Sequence, residues 1–216
     1  MAKIITFFNQ KGGCGKTTIA MNVAAVLATD YKAKVMVVDG DSQGSASRWI
    51  ALADEDKPFP ASIVGMAHIK TKAHQEIKKF KDDYDYIIVD CPPTLESVFS
   101  ESALVVSDVG VLPVIPSPND FFSVAGAEFM IERISEINDA LNARVVFNSY
   151  QPNLTMTHEI EDSLSKSSKL GLFNARIGQR TAYRQAVVKG GSVLDMKDIK
   201  AKLEMRELVR EILLLL

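Results

Sequence analysis

The stretch NQKGGCGKTT, Asn9–Thr18, constrains this chain more than any other feature. An apolar, β-forming run, KIITFF (Lys3–Phe8), precedes it. The segment that follows, TTIAMNVAAVLATD (Thr17–Asp30), carries its apolar residues at helical spacing. The stretch is therefore a loop between a strand and a helix. Gly12, Gly13 and Gly15 let the backbone turn its N–H groups inward, and the helix N-terminus adds partial positive charge. Such a cradle takes phosphate. Lys16 is placed to reach β- and γ-phosphates, and the Thr17 hydroxyl to bind Mg²⁺. The loop departs from the usual G-x-x-x-x-G-K-[ST] rule, because position 10 is Gln and a second lysine, Lys11, stands before the glycine pair.

The rest of the chain repeats the alternation. Apolar runs occupy Ala33–Asp39, Tyr84–Asp90, Val109–Pro116 and Ala143–Tyr150. They are apolar almost throughout, as strands buried on both faces require. Helical patterns fill Thr17–Thr29, Gly44–Leu52, Ile69–Lys81, Glu96–Ser107, Asp120–Asn142 and Thr157–Lys169. The pattern predicts an α/β fold, a mostly parallel sheet with helices on both faces, and ligands at the carboxyl ends of the strands. ADEDKPFPAS (Ala53–Ser62) reads as a surface loop, and the 216 residues as a single domain.

Three acids fall at strand ends. Asp90 closes YIIVD in the manner of a Walker B carboxylate that holds Mg²⁺, usually through water. Asp39 and Asp41 lie two residues apart in VVDGDSQGS, so in extended chain they point the same way. One is then available to the metal shell and the other to an attacking water.

KGGCGKTT, VMVVDGDSQGS and YDYIIVDCPP together resemble the ParA/MinD family of deviant Walker-type ATPases, and SDVGVLPVIPSPNDF (Ser107–Phe121) is similar to that family's segment after Walker B. The resemblance spans nearly the whole chain and is nearest to short plasmid-partition ATPases without an N-terminal helix-turn-helix domain. It implies a P-loop ATPase that binds ATP and Mg²⁺ and hydrolyses ATP to ADP and phosphate. Lys11 matches the family's signature lysine, which reaches across a nucleotide-sandwich dimer to the partner's phosphates. The nucleotide contacts implied are Lys11, Gly12, Gly13, Cys14, Gly15, Lys16, Thr17 and Thr18. Asp41 is implied to position the hydrolytic water, and Asp39 and Asp90, with Thr17, to support Mg²⁺. Asn148, in VVFNSY, is implied as an adenine reader, although an Asn at a strand end also serves as a turn residue. Pro116–Asp120 is either a wall of the base pocket or a Pro-rich turn capped by Asn119 or Asp120. One departure stands out: where the family has an apolar residue and then Pro around the second acid, this chain has Gly40 and Ser42.

Charge bears on partners. The chain's net charge is −2, yet Arg176–Arg210 holds nine Lys/Arg against four Asp/Glu, a local +5. The resemblance implies non-specific DNA binding through this part once ATP has closed the homodimer. Arg180 and Arg184, and Lys202 and Arg206, are each one helical turn apart. A cargo-bound adaptor, such as a centromere-binding protein, would then stimulate hydrolysis. The main expectation is DNA segregation by a cytoplasmic, nucleoid-associated ATPase. The alternatives are a positioning ATPase for another cargo, and a MinD-like membrane binder using KLEMRELVREILLLL (Lys202–Leu216). Glu204, Glu207 and Glu211 disfavour the latter, and its apolar stripe is more simply a helix packed on the sheet. Cys14 and Cys91 have no cluster-forming spacing, and there is neither a signature for an amidoligase's second substrate nor a signal-like N-terminus.

Overall fold

The chain is described by a computed structural model over residues 1–94 and 98–216. The strands are β1 (Lys3–Phe7), β2 (Val35–Asp39), β3 (Ser62–Gly65), β4 (Tyr86–Asp90), β5 (Val109–Val114), β6 (Asn142–Tyr150) and β7 (Gly171–Gly178). They pair in parallel as one sheet, in the order β3-β2-β4-β1-β5-β6-β7. The helices are α1 (Lys16–Asp30), α2 (Ser45–Ile50), α3 (Ala73–Lys78), α4 (Val98–Leu104), α5 (Pro118–Ser135), α6 (Thr155–Ser167), α7 (Thr181–Val188) and α8 (Ile199–Leu213).

Side chains alternate along each strand, so the sheet feeds two cores. Ile5, Phe7, Val35, Val37, Ile88 and Val111 face α1, α2, α7 and α8. Ile4, Phe8, Met36, Val38, Ile87 and Leu112 face α3, α4, α5 and α6. This two-sided burial is why the central strands are apolar almost throughout. Helix α1 is enclosed on almost every side, with Ile19 to Leu27 fully buried. The apolar stripe of α8, Met205, Leu208, Val209 and Ile212, is equally buried in the first core. That stripe is core, not a membrane face. Among the described residues no helix is long and apolar enough to cross a membrane.

The five predicted strands all form, and both strands absent from the sequence reading lie at the sheet edges. β3 begins at Ser62, the last residue of the segment read as a surface loop, and has four residues, none of them buried. β7 buries only alternate residues, Phe173, Ala175 and Ile177, so it lacks a continuous apolar run. The helix predicted over Ile69–Lys81 is broken: a 3-10 stretch at Ala67–Lys72 contains Lys70 at φ 50°, and α3 follows. The helix predicted over Asp120–Asn142 stops at Ser135. Beyond it, the Asn138 amide donates to the Leu104 and Ser107 carbonyls instead. Glu96, where another helix was expected to start, lies outside the described residues.

Gly40 is explained by packing. A Cβ there would sit 2.2 Å from the Phe99 ring, so only glycine lets α4 close over the end of β2.

Candidate nucleotide site

The site forms where β1, β2 and β4 end side by side. Phe7 pairs with Asp90, and Asp90 with Asp39, so the sheet register alone brings the two acids beside the start of the loop. Gly13 (φ 75°) and Gly15 (φ 99°) are left-handed, which turns the loop into the N-terminus of α1. The loop wraps a cleft of about 230 Å³, lined by Gly12, Gly13, Gly15, Lys16, Thr17 and Thr18. Asp41, Ser45, Cys91 and Pro93 close its other side. Ser45, Cys91 and Pro93 were not among the expected nucleotide contacts. Cys91 and Pro93 follow Asp90 directly enough that the strand-end rule reaches them.

Two lysines converge here from opposite sides. Lys16 is buried, and its Nζ donates to the Lys11 carbonyl at 3.1 Å. Its charge is thus held by the loop's own backbone. Lys11 points away from the cleft. Its Nζ lies 2.7 Å from Oδ2 of Asp120, a carboxylate with no solvent exposure. Asn9 fixes the turn between them: its Oδ1 accepts from the Lys11 N–H, and its amide donates to the Pro113 carbonyl at the end of β5.

The three acids differ in kind. Asp90 is fully buried; Oδ2 accepts from the Thr17 hydroxyl at 2.6 Å, and Oδ1 has no partner among the described residues. Burial pushes its carboxyl up to about 7. An orphaned carboxylate oxygen beside a threonine hydroxyl fits a hard divalent cation that keeps several of its waters. Asp39 is also buried, but its oxygens are already used. Oδ1 accepts from the Asp41 N–H, and Oδ2 from the N–H and hydroxyl of Ser47. Asp39 thus shapes the turn into α2. Asp41 is half-buried on the wall of the cleft, with Oδ1 accepting from the Gln43 N–H.

Cys14 backs the loop as a buried thiol, raised by desolvation. Asn148, at the end of β6, donates its amide to the Cys14 carbonyl at 2.8 Å. A Cβ on Gly15 would meet that amide at 2.1 Å, so the glycine and the asparagine fit each other. In the expected base-pocket segment, Ser117 and Asp120 are described, and the side chains of Pro118 and Asn119 lie outside the described residues.

The four candidate DNA contacts divide into two pairs. Arg180 makes a bidentate ion pair with Glu204, and Arg206 pairs with Asp30 at 2.7 Å. Arg184 and Lys202 make no ion pair among the described residues.

Residues 5–193 match the family model described as the CobQ/CobB/MinD/ParA nucleotide binding domain. The chain belongs to this family of deviant Walker ATPases. A curated relative, the "Maintenance of carboxysome distribution protein A" of Halothiobacillus neapolitanus, is 31% identical over 188 residues, covering 87% of this chain and 85% of that protein. The solved structure of apo McdA from Cyanothece superposes with a TM-score of 0.79 at 16% identity, over 99% of this chain and 100% of that one. MinD from Pyrococcus horikoshii, solved with Mg-ADP, superposes with a TM-score of 0.75 at 21% identity, over 98% of this chain and 96% of that one. The two superpositions establish a shared P-loop fold.

Proposed function

We propose that this chain is a Mg·ATP-dependent positioning ATPase that dimerises around its nucleotides and distributes a non-DNA cargo, a large protein assembly, over nucleoid DNA. The relative covering most of the chain at 31% identity carries the choice of cargo. DNA segregation, the main expectation from sequence, uses the same engine with a different load, and no feature of the site favours it.

The chemistry follows from the site's own residues. Lys16 leaves the Lys11 carbonyl to neutralise the β/γ-phosphates, while the loop's N–H groups hold their oxygens. Thr17 and Asp90 would hold Mg²⁺, and the bound ion would supply positive charge beside the phosphates. Asp41 orients the attacking water and takes up its proton. Lys11 acts across the dimer on the partner's phosphates, which makes association a readout of the γ-phosphate. Arg184 and Lys202, as unpaired cations, supply the sequence-independent grip on DNA. An adaptor on the cargo stimulates hydrolysis and release.

The test is to load the purified protein with Mg·ATP, Mg·ADP or no nucleotide, and measure mass by light scattering and retention on a DNA-coated surface. Dimerisation and retention with ATP alone support the reading. An ATP-loaded monomer, or retention that ignores nucleotide, removes it. Cargo is tested by deleting the gene and imaging: a clustered protein assembly with normal DNA inheritance supports the proposal, and DNA loss with normally spaced assemblies returns it to segregation.

A further inference from the structure

Asp120 has no place in the chemistry above, yet it is a buried carboxylate at the edge of the site. It has no solvent exposure, and its second oxygen, Oδ1, has no hydrogen-bond partner among the described residues. It lies in the first turn of α5, where Ser117 donates its hydroxyl to Oδ2. A helix N-terminus welcomes an acid, but at that position an acid is ordinarily solvated. Here it is sealed in and its charge is met by Lys11, 109 residues away in sequence and 2.7 Å away in space. The lysine side chain remains 36% exposed, so it can leave by the solvent side, while Asp120 cannot follow.

We infer that Asp120 is a cis counter-ion for Lys11, holding the lysine in the monomer until the partner's phosphates outbid it. The inference rests on Lys11 acting in trans, as proposed above. A cation cannot serve both anions. Swinging Lys11 across the dimer leaves Asp120 buried and unpaired, which is costly unless α5 shifts or the acid takes a proton. Dimerisation therefore works against the latch in both subunits. The latch also ties the nucleotide loop to the start of α5, since Asn9 anchors the same turn to the end of β5.

The apparent affinity of a two-state protein is reduced by the fraction in the competent state. If the latch leaves about one subunit in ten competent, removing it strengthens dimerisation about tenfold per subunit, or about a hundredfold for the pair. Asp120→Asn keeps the size and the acceptor for Ser117 but removes the charge. It is expected to dimerise at roughly hundredfold lower protein concentration with a non-hydrolysable ATP analogue, read by light scattering. An unchanged or weakened dimer overturns the latch.

A thermal-melting cycle on the nucleotide-free protein tests the pair apart from the trans role. Lys11→Ala is expected to lower the Tm by several degrees by stranding the buried carboxylate, and Asp120→Asn in that background to recover most of the loss. Additive Tm shifts overturn the pairing, even if both variants fold. If the cycle shows coupling but Lys11→Ala still dimerises with ATP, the trans-lysine reading fails and the pair is structural only. If Asp120→Asn does not fold, Asp120→Ser with the same cycle decides the question, because it too removes the charge.

Discussion

Asp90→Asn separates the site's chemistry from its cost to the fold. Asp90 is buried with one oxygen unpartnered, and its carboxyl lies at about 7 against an ordinary 3.8. The native state thus holds this proton more tightly than the unfolded chain does. The contribution to stability is fully present below pH 3.8 and is lost as pH rises through about 7. At 1.36 kcal/mol per pH unit, the whole loss is about 4 kcal/mol, with roughly 1.5 kcal/mol gone by pH 5 and nearly all by pH 8. Asn cannot titrate. Whatever fixed change in hydrogen bonding the amide brings, the variant's advantage over wild type should grow by about 2.5 kcal/mol between pH 5 and pH 8. At roughly 2–4 °C per kcal/mol for a chain of this size, that is a relative Tm gain of about 5–10 °C. The assay is thermal melting of both nucleotide-free proteins across that range. A Tm difference that does not change with pH refutes the reasoning, because it means that Asp90 is not held protonated. Adding Mg·ATP should raise the wild-type Tm well beyond that of the variant, since only the wild type offers the orphaned oxygen to the metal.

Lys16→Ala removes the main counter-charge to the phosphates, so fluorescent-ATP titration should show binding weakened by at least about 100-fold. Asp41→Ala should slow phosphate release at least about tenfold while ATP-driven dimerisation persists on the same sample. Arg184→Ala with Lys202→Ala should flatten the log–log salt dependence of DNA binding by up to about two units per subunit. Arg180→Ala and Arg206→Ala should instead lower the Tm and leave that slope nearly unchanged, because their charge is already spent on Glu204 and Asp30. Gly40→Ala should lower the Tm by several degrees, as its Cβ would sit 2.2 Å from the Phe99 ring.

What the sequence made legible follows from what local physics controls. The central strands declare themselves because both faces are buried, so nearly every position must be apolar. β3 and β7 are edges with a single strand neighbour each; they had no such requirement and left no run to read. The break at Lys70 hides because a 3-10 turn and a helix share their short apolar spacings. The loop between β1 and α1 was legible as a local shape, since left-handed glycines and a following helix form one contiguous set of residues. Gly40 was legible as a departure but not as a reason, because its cause, Phe99, lies across the second core.

Ionic pairing is the level at which a linear reading fails. The count of +5 over Arg176–Arg210 treats each cation as available. The fold brings Glu161 to Arg176, Glu204 to Arg180, Asp30 to Arg206 and Glu207 to Arg210, so the arginines of that stretch apart from Arg184 are neutralised at short range. Arginine's planar fork favours such fixed bidentate pairs, whereas lysine is a mobile point charge. The cations left for a polyanion are therefore mainly lysines: Lys189, Lys197, Lys200 and Lys202, with Arg184. The same distinction applies at the nucleotide loop. The sequence already gives Lys11 and Lys16 different expected roles in NQKGGCGKTT, but only the folded chain shows what each rests on. Lys16 rests on a carbonyl that it can leave at little cost, whereas Lys11 rests on a buried carboxylate. On the function proposed above, the first is ready for nucleotide in the monomer, and the second is held until something with more negative charge than one carboxylate arrives; two bound triphosphates at a shared interface would be such a thing.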